Sequence, residues 1–143
     1  MSVDDPQSAA ENAYTFVLVH GGCHDGSLWQ PVIERLEQLG HTAYAPTVAG
    51  HGKDVPKNVT HAESTQSIVD FIVDQDLTEF VLVGHGYAGT IISKVVEIVP
   101  ERVRRLVFWS AYVLMTVRVR SKCCRIVLSY SCRWRPIRPT TPS

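Results

Sequence analysis

The chain has 143 residues and a net charge of zero, and 45% of its residues are hydrophobic, which suffices for the core of one globular domain. No apolar run approaches the roughly 20 residues that span a bilayer, and the first 13 residues lack the basic and apolar regions of a secretory signal. We therefore expect a cytoplasmic protein without a membrane anchor, and the cysteine and histidine spacings predict neither a metal site nor a cofactor.

Strands and helices are predicted to alternate along the chain after a leader, residues 1–13, that we expect to be disordered. Short apolar runs predict strands at 15–20, 42–46, 79–83 and 105–109. Apolar residues at helical spacing, with a capping box at Thr60 and Glu63, predict helices within 28–39, 60–73 and 91–99. Near-continuous apolar strands are typical of a parallel sheet that is covered on both faces. The prediction for residues 14–115 is an α/β fold with about four parallel strands flanked by helices.

The last 28 residues differ in charge from the rest of the chain. Residues 1–115 carry 14 acidic and seven basic residues, whereas residues 116–143 carry seven basic and no acidic residues. One interpretation is a solvated basic tail without regular structure. The other is a segment translated out of frame from a point near Met115. A basic tail can bind phosphates, but this one has no groove-reading framework, so nucleic acid is not an expected partner.

The most informative stretch is the turn between the third strand and the third helix. Residues 84–89 read G-H-G-Y-A-G, and the small residues are Gly84, Ala88 and Gly89. A nucleophile elbow needs small residues at these points, because its sharp strand-to-helix turn leaves no room for larger side chains. The residue at the tip of this turn, where the nucleophile would stand, is Gly86.

Three motifs in this order resemble those of a known family. The segment V-L-V-G-H-G-Y-A-G resembles the V-L-V-G-H-S-Y-G-G elbow of α/β hydrolases. The upstream segments H-G-G-C-H-D-G-S-L-W-Q-P-V and L-E-Q-L-G-H-T-A-Y-A-P-T-V-A-G-H-G resemble the oxyanion loop and the following stretch of small esterases in the methyl-esterase and hydroxynitrile-lyase branch. The resemblance covers residues 14–114 and implies the N-terminal part of an α/β-hydrolase domain.

The resemblance also implies a set of site residues. The oxyanion hole would consist of the backbone N–H groups of Gly22 and Tyr87, which need no particular side chain. His85 precedes the nucleophile position and, like His51 in the earlier G-H-G segment, would be structural. Cys23, which follows the oxyanion loop, would be an ordinary loop thiol.

Two departures from the family pattern bear on activity. Gly86 has no side chain that can attack a carbonyl carbon. The acid and the general-base histidine of the family follow the strands after residue 114, but residues 116–143 contain no Asp, Glu or His. We therefore expect a relative of serine esterases of small ester or acyl substrates that is inactive as this chain. The alternatives are a non-catalytic small-molecule-binding remnant and a cofactor-free lyase or oxygenase of the same fold. The sequence does not indicate an oligomeric state.

Overall fold

The computed structural model describes residues 13–113 completely and residues 125–129 by their backbone. The predicted leader therefore lies outside the described residues, apart from Ala13. Most of the basic segment also lies outside them.

Five parallel strands form one sheet in the order β2-β1-β3-β4-β5. The strands are β1 Thr15–Val19, β2 Thr42–Tyr44, β3 Phe80–His85, β4 Val103–Trp109 and β5 Arg125–Ser129. The helices are α1 Gln30–Gln38, which follows a 3₁₀ turn at Gly26–Trp29, α2 His61–Asp74 and α3 Ala88–Ile98. The alternation of strands and helices predicted from the sequence is thus confirmed.

Each face of the sheet has its own apolar core. On one face, Val17, Leu82 and Leu106 of the strands pack against the buried side chains of α2 and α3. On the other face, Leu18 and Val83 pack with Trp29 of the 3₁₀ turn and with α1. Consecutive residues of a strand point to opposite faces, so a buried parallel strand must be apolar at almost every position. This requirement explains the unbroken apolar runs in the sequence.

The fifth strand lies in the segment for which the sequence indicates no regular structure. β5 pairs with β4 from Arg105 opposite Arg125 to Trp109 opposite Ser129. The centre of β5 is the short apolar run at 126–128, which interrupts an otherwise basic stretch. Within the described sheet, β4 is therefore not an open edge. The rest of the segment, to which both interpretations of the tail apply, lies outside the described residues.

The capping box predicted at the start of α2 is confirmed. The Thr60 hydroxyl accepts a hydrogen bond from the Glu63 backbone N–H at 3.2 Å, and the Glu63 carboxylate accepts one from the Thr60 N–H at 2.7 Å. The hydrogen bonds that the Thr60 backbone N–H and the Thr60 hydroxyl donate to this carboxylate hold the pKa of Glu63 below its usual range. The reciprocal pair satisfies two backbone donors that a helix start leaves without partners, and so fixes where α2 begins.

Candidate active site

The turn between β3 and α3 has the backbone of a nucleophile elbow with no side chain at its tip. Gly86 has a φ of +58°, in the left-handed region that L-residues seldom adopt. Its carbonyl oxygen accepts hydrogen bonds from the N–H groups of Gly89 at 3.1 Å and Tyr112 at 3.0 Å. A Cβ atom at Gly86 would have only the Cα of Gly21 within 4 Å, at 3.8 Å. Glycine adopts this conformation without strain, whereas an L-residue would be strained there even though its Cβ has room.

Close packing limits the residues on either side of this tip. A Cβ atom at Gly89 would lie 2.1 Å from the carbonyl oxygen of Tyr112, which belongs to the backbone and cannot move aside easily. A Cβ atom at Gly84 would lie 2.7 Å from Cδ1 of Ile92, the far end of a flexible side chain. Ala88 is fully buried. Position 89 thus requires glycine more strictly than position 84 does.

The loop after β1 crosses directly over this turn. β1 and β3 are paired neighbours, with Val19 opposite Gly84, so both strands end at the same edge of the sheet. A Cβ atom at Gly22 would lie 3.4 Å from the Cβ of Tyr87. The structure therefore brings together the two residues from which the sequence predicts the oxyanion hole.

His20 holds the start of this loop and is not placed to act as a base. Its side chain is 1% exposed, and its Nε2 accepts a hydrogen bond from the Val48 backbone N–H at 3.0 Å. Nδ1 lies 2.8 Å from the Gly21 carbonyl oxygen, so it carries the proton and donates it there. Burial lowers the pKa of His20, which agrees with a neutral ring whose two nitrogens both have partners.

Two further histidines surround the Tyr87 side chain. The ring of His51 lies 6.4 Å from that of Tyr87, and the ring of His61 meets it edge-on at 6.0 Å. His61 Nε2 also lies 3.0 Å from Oγ1 of Thr90. These contacts restrain the residue whose backbone N–H is one of the two predicted oxyanion donors.

His85 is directed away from these residues. It packs edge-on against Trp29 at 6.3 Å, on the face of the sheet that α1 covers. Its Nδ1 is buried without a hydrogen-bond partner among the described residues. The side chain lies beside Gly21, but it lines a different depression from Tyr87, together with Trp29 and Trp109.

Two adjoining depressions lie beside the turn. The first, here called the elbow pocket, has a volume of about 340 Å³ and includes Gly22, Tyr87 and Ser64 in its lining. The second, here called the basic cleft, has a volume of about 420 Å³ and includes Lys53, Asp25 and the exposed, free thiol of Cys23. Four residues line both depressions: Gly22, Gly50, His51 and Lys57. They therefore form one continuous surface.

The lysines of the basic cleft were not identified from the sequence. Lys53 and Lys57 belong to a stretch without helix or strand, and nothing in their spacing relates them to the oxyanion loop about 30 residues earlier. Only the packing of residues 47–59 beside that loop brings the two lysines into the same depression as Gly22 and His24.

Neither a metal-ligand cluster nor a membrane-spanning helix is found in the parts of the chain that the structure describes. Residues 13–113 and 125–129 contain no cluster of three metal-ligating side chains. Over the same ranges, no helix combines the length and the apolarity needed to cross a bilayer.

The sequence matches known proteins over most of its length. A profile described as "Alpha/beta hydrolase family" matches residues 16–141. A carbendazim hydrolyzing esterase of Nocardioides sp. (strain SG-4G) is 33% identical over 101 residues, and Methylesterase 1 of Arabidopsis thaliana is 31% identical over 104 residues. Each alignment covers 68% of this chain but only 42% and 39% of the respective relative. The chain thus spans about two fifths of the length of these curated relatives.

A solved structure shows the same partial overlap. An extracellular alpha/beta-hydrolase from a Paenibacillus species superposes with a TM-score of 0.70 and 43% sequence identity. The alignment covers 71% of this chain and 42% of that one. That hydrolase shares structural and functional homology with the tobacco Salicylic Acid Binding Protein 2.

Proposed function

Because this chain belongs to the alpha/beta hydrolase family and is related to its esterases, we propose that it binds small ester or acyl compounds at the elbow pocket without hydrolysing them. The observation that carries the proposal is Gly86. A serine esterase attacks the substrate carbonyl carbon with an oxygen at the tip of this turn, and glycine provides none.

The donors expected to bind a carbonyl oxygen depend on the backbone alone. Gly22 and Tyr87 face each other at the elbow, and neither N–H group would be lost with a nucleophilic side chain. The elbow pocket, at about 340 Å³, falls within the range of small-molecule sites. Binding of a small carbonyl compound therefore remains feasible where its cleavage does not.

Two hydroxyl groups near the elbow, those of Ser64 and Thr90, do not replace the missing nucleophile. Ser64 lines the elbow pocket, but its hydroxyl donates to the Ala49 carbonyl oxygen at 3.1 Å. Thr90 lies beside His61 as a nucleophile lies beside its base, yet its hydroxyl proton is donated to the Tyr87 carbonyl oxygen at 2.9 Å. His61 must then donate to Thr90 and cannot remove its proton. Nothing in the described residues favours the lyase or oxygenase alternative.

Two measurements on the intact chain test this proposal. Methyl benzoate, a small neutral methyl ester, should shift the backbone amide resonance of Tyr87 in a saturable titration. A short-chain aryl ester should be hydrolysed no faster than by heat-denatured protein, because Gly86 supplies no nucleophile and the hydroxyl protons of Ser64 and Thr90 are donated to carbonyl oxygens. Hydrolysis that exceeds this control, or a Tyr87 amide unaffected by methyl benzoate at millimolar concentration, would contradict the proposal.

The Gly86→Ser variant is the matched control for the absence of activity. It supplies an oxygen where a Cβ atom has room, but it supplies no histidine to activate that oxygen. We expect Gly86→Ser to hydrolyse the aryl ester no faster than the parent chain. Strong hydrolysis by the variant would show that a base is already in place, and the site would then be an esterase site lacking only its serine.

A further inference from the structure

The basic cleft carries positive charge that the described residues leave largely uncompensated. Its charged lining consists of Lys53, Lys57 and a single carboxylate, Asp25, and its other polar groups include the imidazoles of His24 and His51. Within the described part of the chain, the ion pairs join Lys94 to Glu97 and Arg102 to Asp76. Neither lysine of the cleft has a described carboxylate within 4.0 Å.

The one carboxylate in the lining, that of Asp25, is already hydrogen-bonded to the 3₁₀ turn. Asp25 accepts hydrogen bonds from the Ser27 backbone N–H at 2.9 Å and from the Ser27 hydroxyl, and so caps the 3₁₀ turn. These bonds hold the pKa of Asp25 below its usual range, which fixes a single negative charge on this group. One fixed charge cannot neutralise two ammonium groups.

Lys57 is held across the loop that forms the cleft. Its Nζ donates to the Gly52 carbonyl oxygen at 2.6 Å, which closes residues 52–57 into a ring and leaves the ammonium charge intact, because the acceptor is neutral. Lys57 also lines the elbow pocket. A cation therefore stands at the junction of the two depressions, with Lys53 further along the basic cleft.

We propose that the basic cleft binds the carboxylate of a small organic acid whose uncharged end occupies the elbow pocket. Two ammonium groups attract an anion and give a neutral group no comparable gain. The position of the uncharged end rests on the proposed function, whereas the anion preference of the cleft does not. The ligand class is thus narrowed from small acyl compounds to those that carry a free acid group.

Two probes that differ in one charge test this inference. Monomethyl glutarate carries a methyl ester and a carboxylate, and dimethyl glutarate is its neutral counterpart. At low salt the monoester should bind roughly five- to tenfold more tightly, and this preference should disappear near 0.5 M salt, since exposed charges are screened there. Affinities come from amide shift titrations, in which Gly52 reports on the basic cleft and Tyr87 on the elbow pocket.

Lys53→Gln is the informative variant, because it removes a charge and leaves the bond between Lys57 and Gly52 in place. It should reduce the preference for the monoester about two- to threefold while leaving dimethyl glutarate binding unchanged. Lys94→Gln, which removes a lysine on α3 outside both depressions, should have no effect.

The amide shifts of Gly52 and Tyr87 show which of the two proposals fails, the anion site or the proposed function. If the Tyr87 amide shifts equally with both probes and Gly52 does not respond to the monoester, the anion site is wrong and the proposed function stands. If the Gly52 amide shifts with the monoester and the Tyr87 amide shifts with neither probe, binding at the elbow pocket is refuted and the anion preference of the cleft stands. A response of neither amide, or equal losses in Lys53→Gln and Lys94→Gln, refutes the anion site.

Discussion

The turn at residues 84–89 and the loop at residues 47–59 lie on two sides of the same pocket and contribute to it differently. The turn contributes its backbone: Gly86 in the left-handed region, a glycine at 89 packed against a carbonyl, and the N–H of Tyr87. The loop offers side chains, chiefly His51 and Lys57. The backbone features do not depend on which side chain stands at position 86, whereas the contribution of the loop depends on its particular side chains.

The strictest test of the turn is Gly89→Ala. The added methyl group would collide with the Tyr112 carbonyl oxygen, 2.1 Å away, so we expect the free energy of unfolding to fall by roughly 3 kcal/mol or more. Urea denaturation followed by tryptophan fluorescence measures this change. Gly40→Ala is the control: its φ of +83° gives strain of about 1 kcal/mol, and no atom lies within 4 Å of the added group.

A loss in Gly89→Ala no larger than in Gly40→Ala would mean that the backbone of residues 111–112 yields easily. The turn would then be as adaptable as the loop opposite, and the contrast between the two regions would not hold.

Substitution at the tip of the same turn should cost less. Gly86→Ser and Gly86→Ala should each lower the free energy of unfolding by about 1–2 kcal/mol, since φ is +58° but no collision follows. Equal losses in the two variants, measured by the same denaturation, would attribute the cost to the backbone. A much smaller loss for Ser would instead reveal a hydrogen bond to its hydroxyl, and a catalytic constellation around position 86 would have to be reconsidered.

The sequence predicted the turn better than the cleft for a physical reason. An elbow is defined by a contiguous strand, a run of small residues and a helix, so Gly84, Ala88 and Gly89 were recognisable from their spacing alone. The basic cleft depends on residues about 30 positions apart, Asp25 and Lys53 among them, which become neighbours only when the chain folds. β5 was missed because five residues inside a basic segment give too short a pattern to outweigh their surroundings.

The loop of residues 47–59 ends where the capping box starts α2. The variant Thr60→Ala tests whether this cap fixes the end of the loop. Losing the side-chain half of the capping box should cost about 1 kcal/mol of unfolding free energy. Ser27→Ala, which removes the hydroxyl that donates to the Asp25 carboxylate at the oxyanion loop, serves as a comparison, since its backbone N–H remains bonded to Asp25. A Thr60→Ala loss below that of Ser27→Ala would show that tertiary packing, and not the cap, sets where the loop ends.

The smallest expected effect concerns His20, whose ring joins the two regions. Its Nε2 accepts a hydrogen bond from the Val48 N–H at the start of the loop, and its Nδ1–H donates one to the Gly21 carbonyl oxygen beside the turn. Burial lowers its pKa in the folded chain, so between that pKa and the ordinary value of about 6.5 the unfolded chain binds more protons. The stability that depends on the neutral ring is complete above pH 6.5 and declines as the pH falls below it, well before the carboxyl groups protonate. Denaturation midpoints between pH 7.5 and 5.5 should fall in the parent chain and change less in His20→Gln, in which this group no longer titrates. The same slope in both would assign the pH dependence to the other histidines, and His20 would then join the loop to the turn without coupling either to protonation.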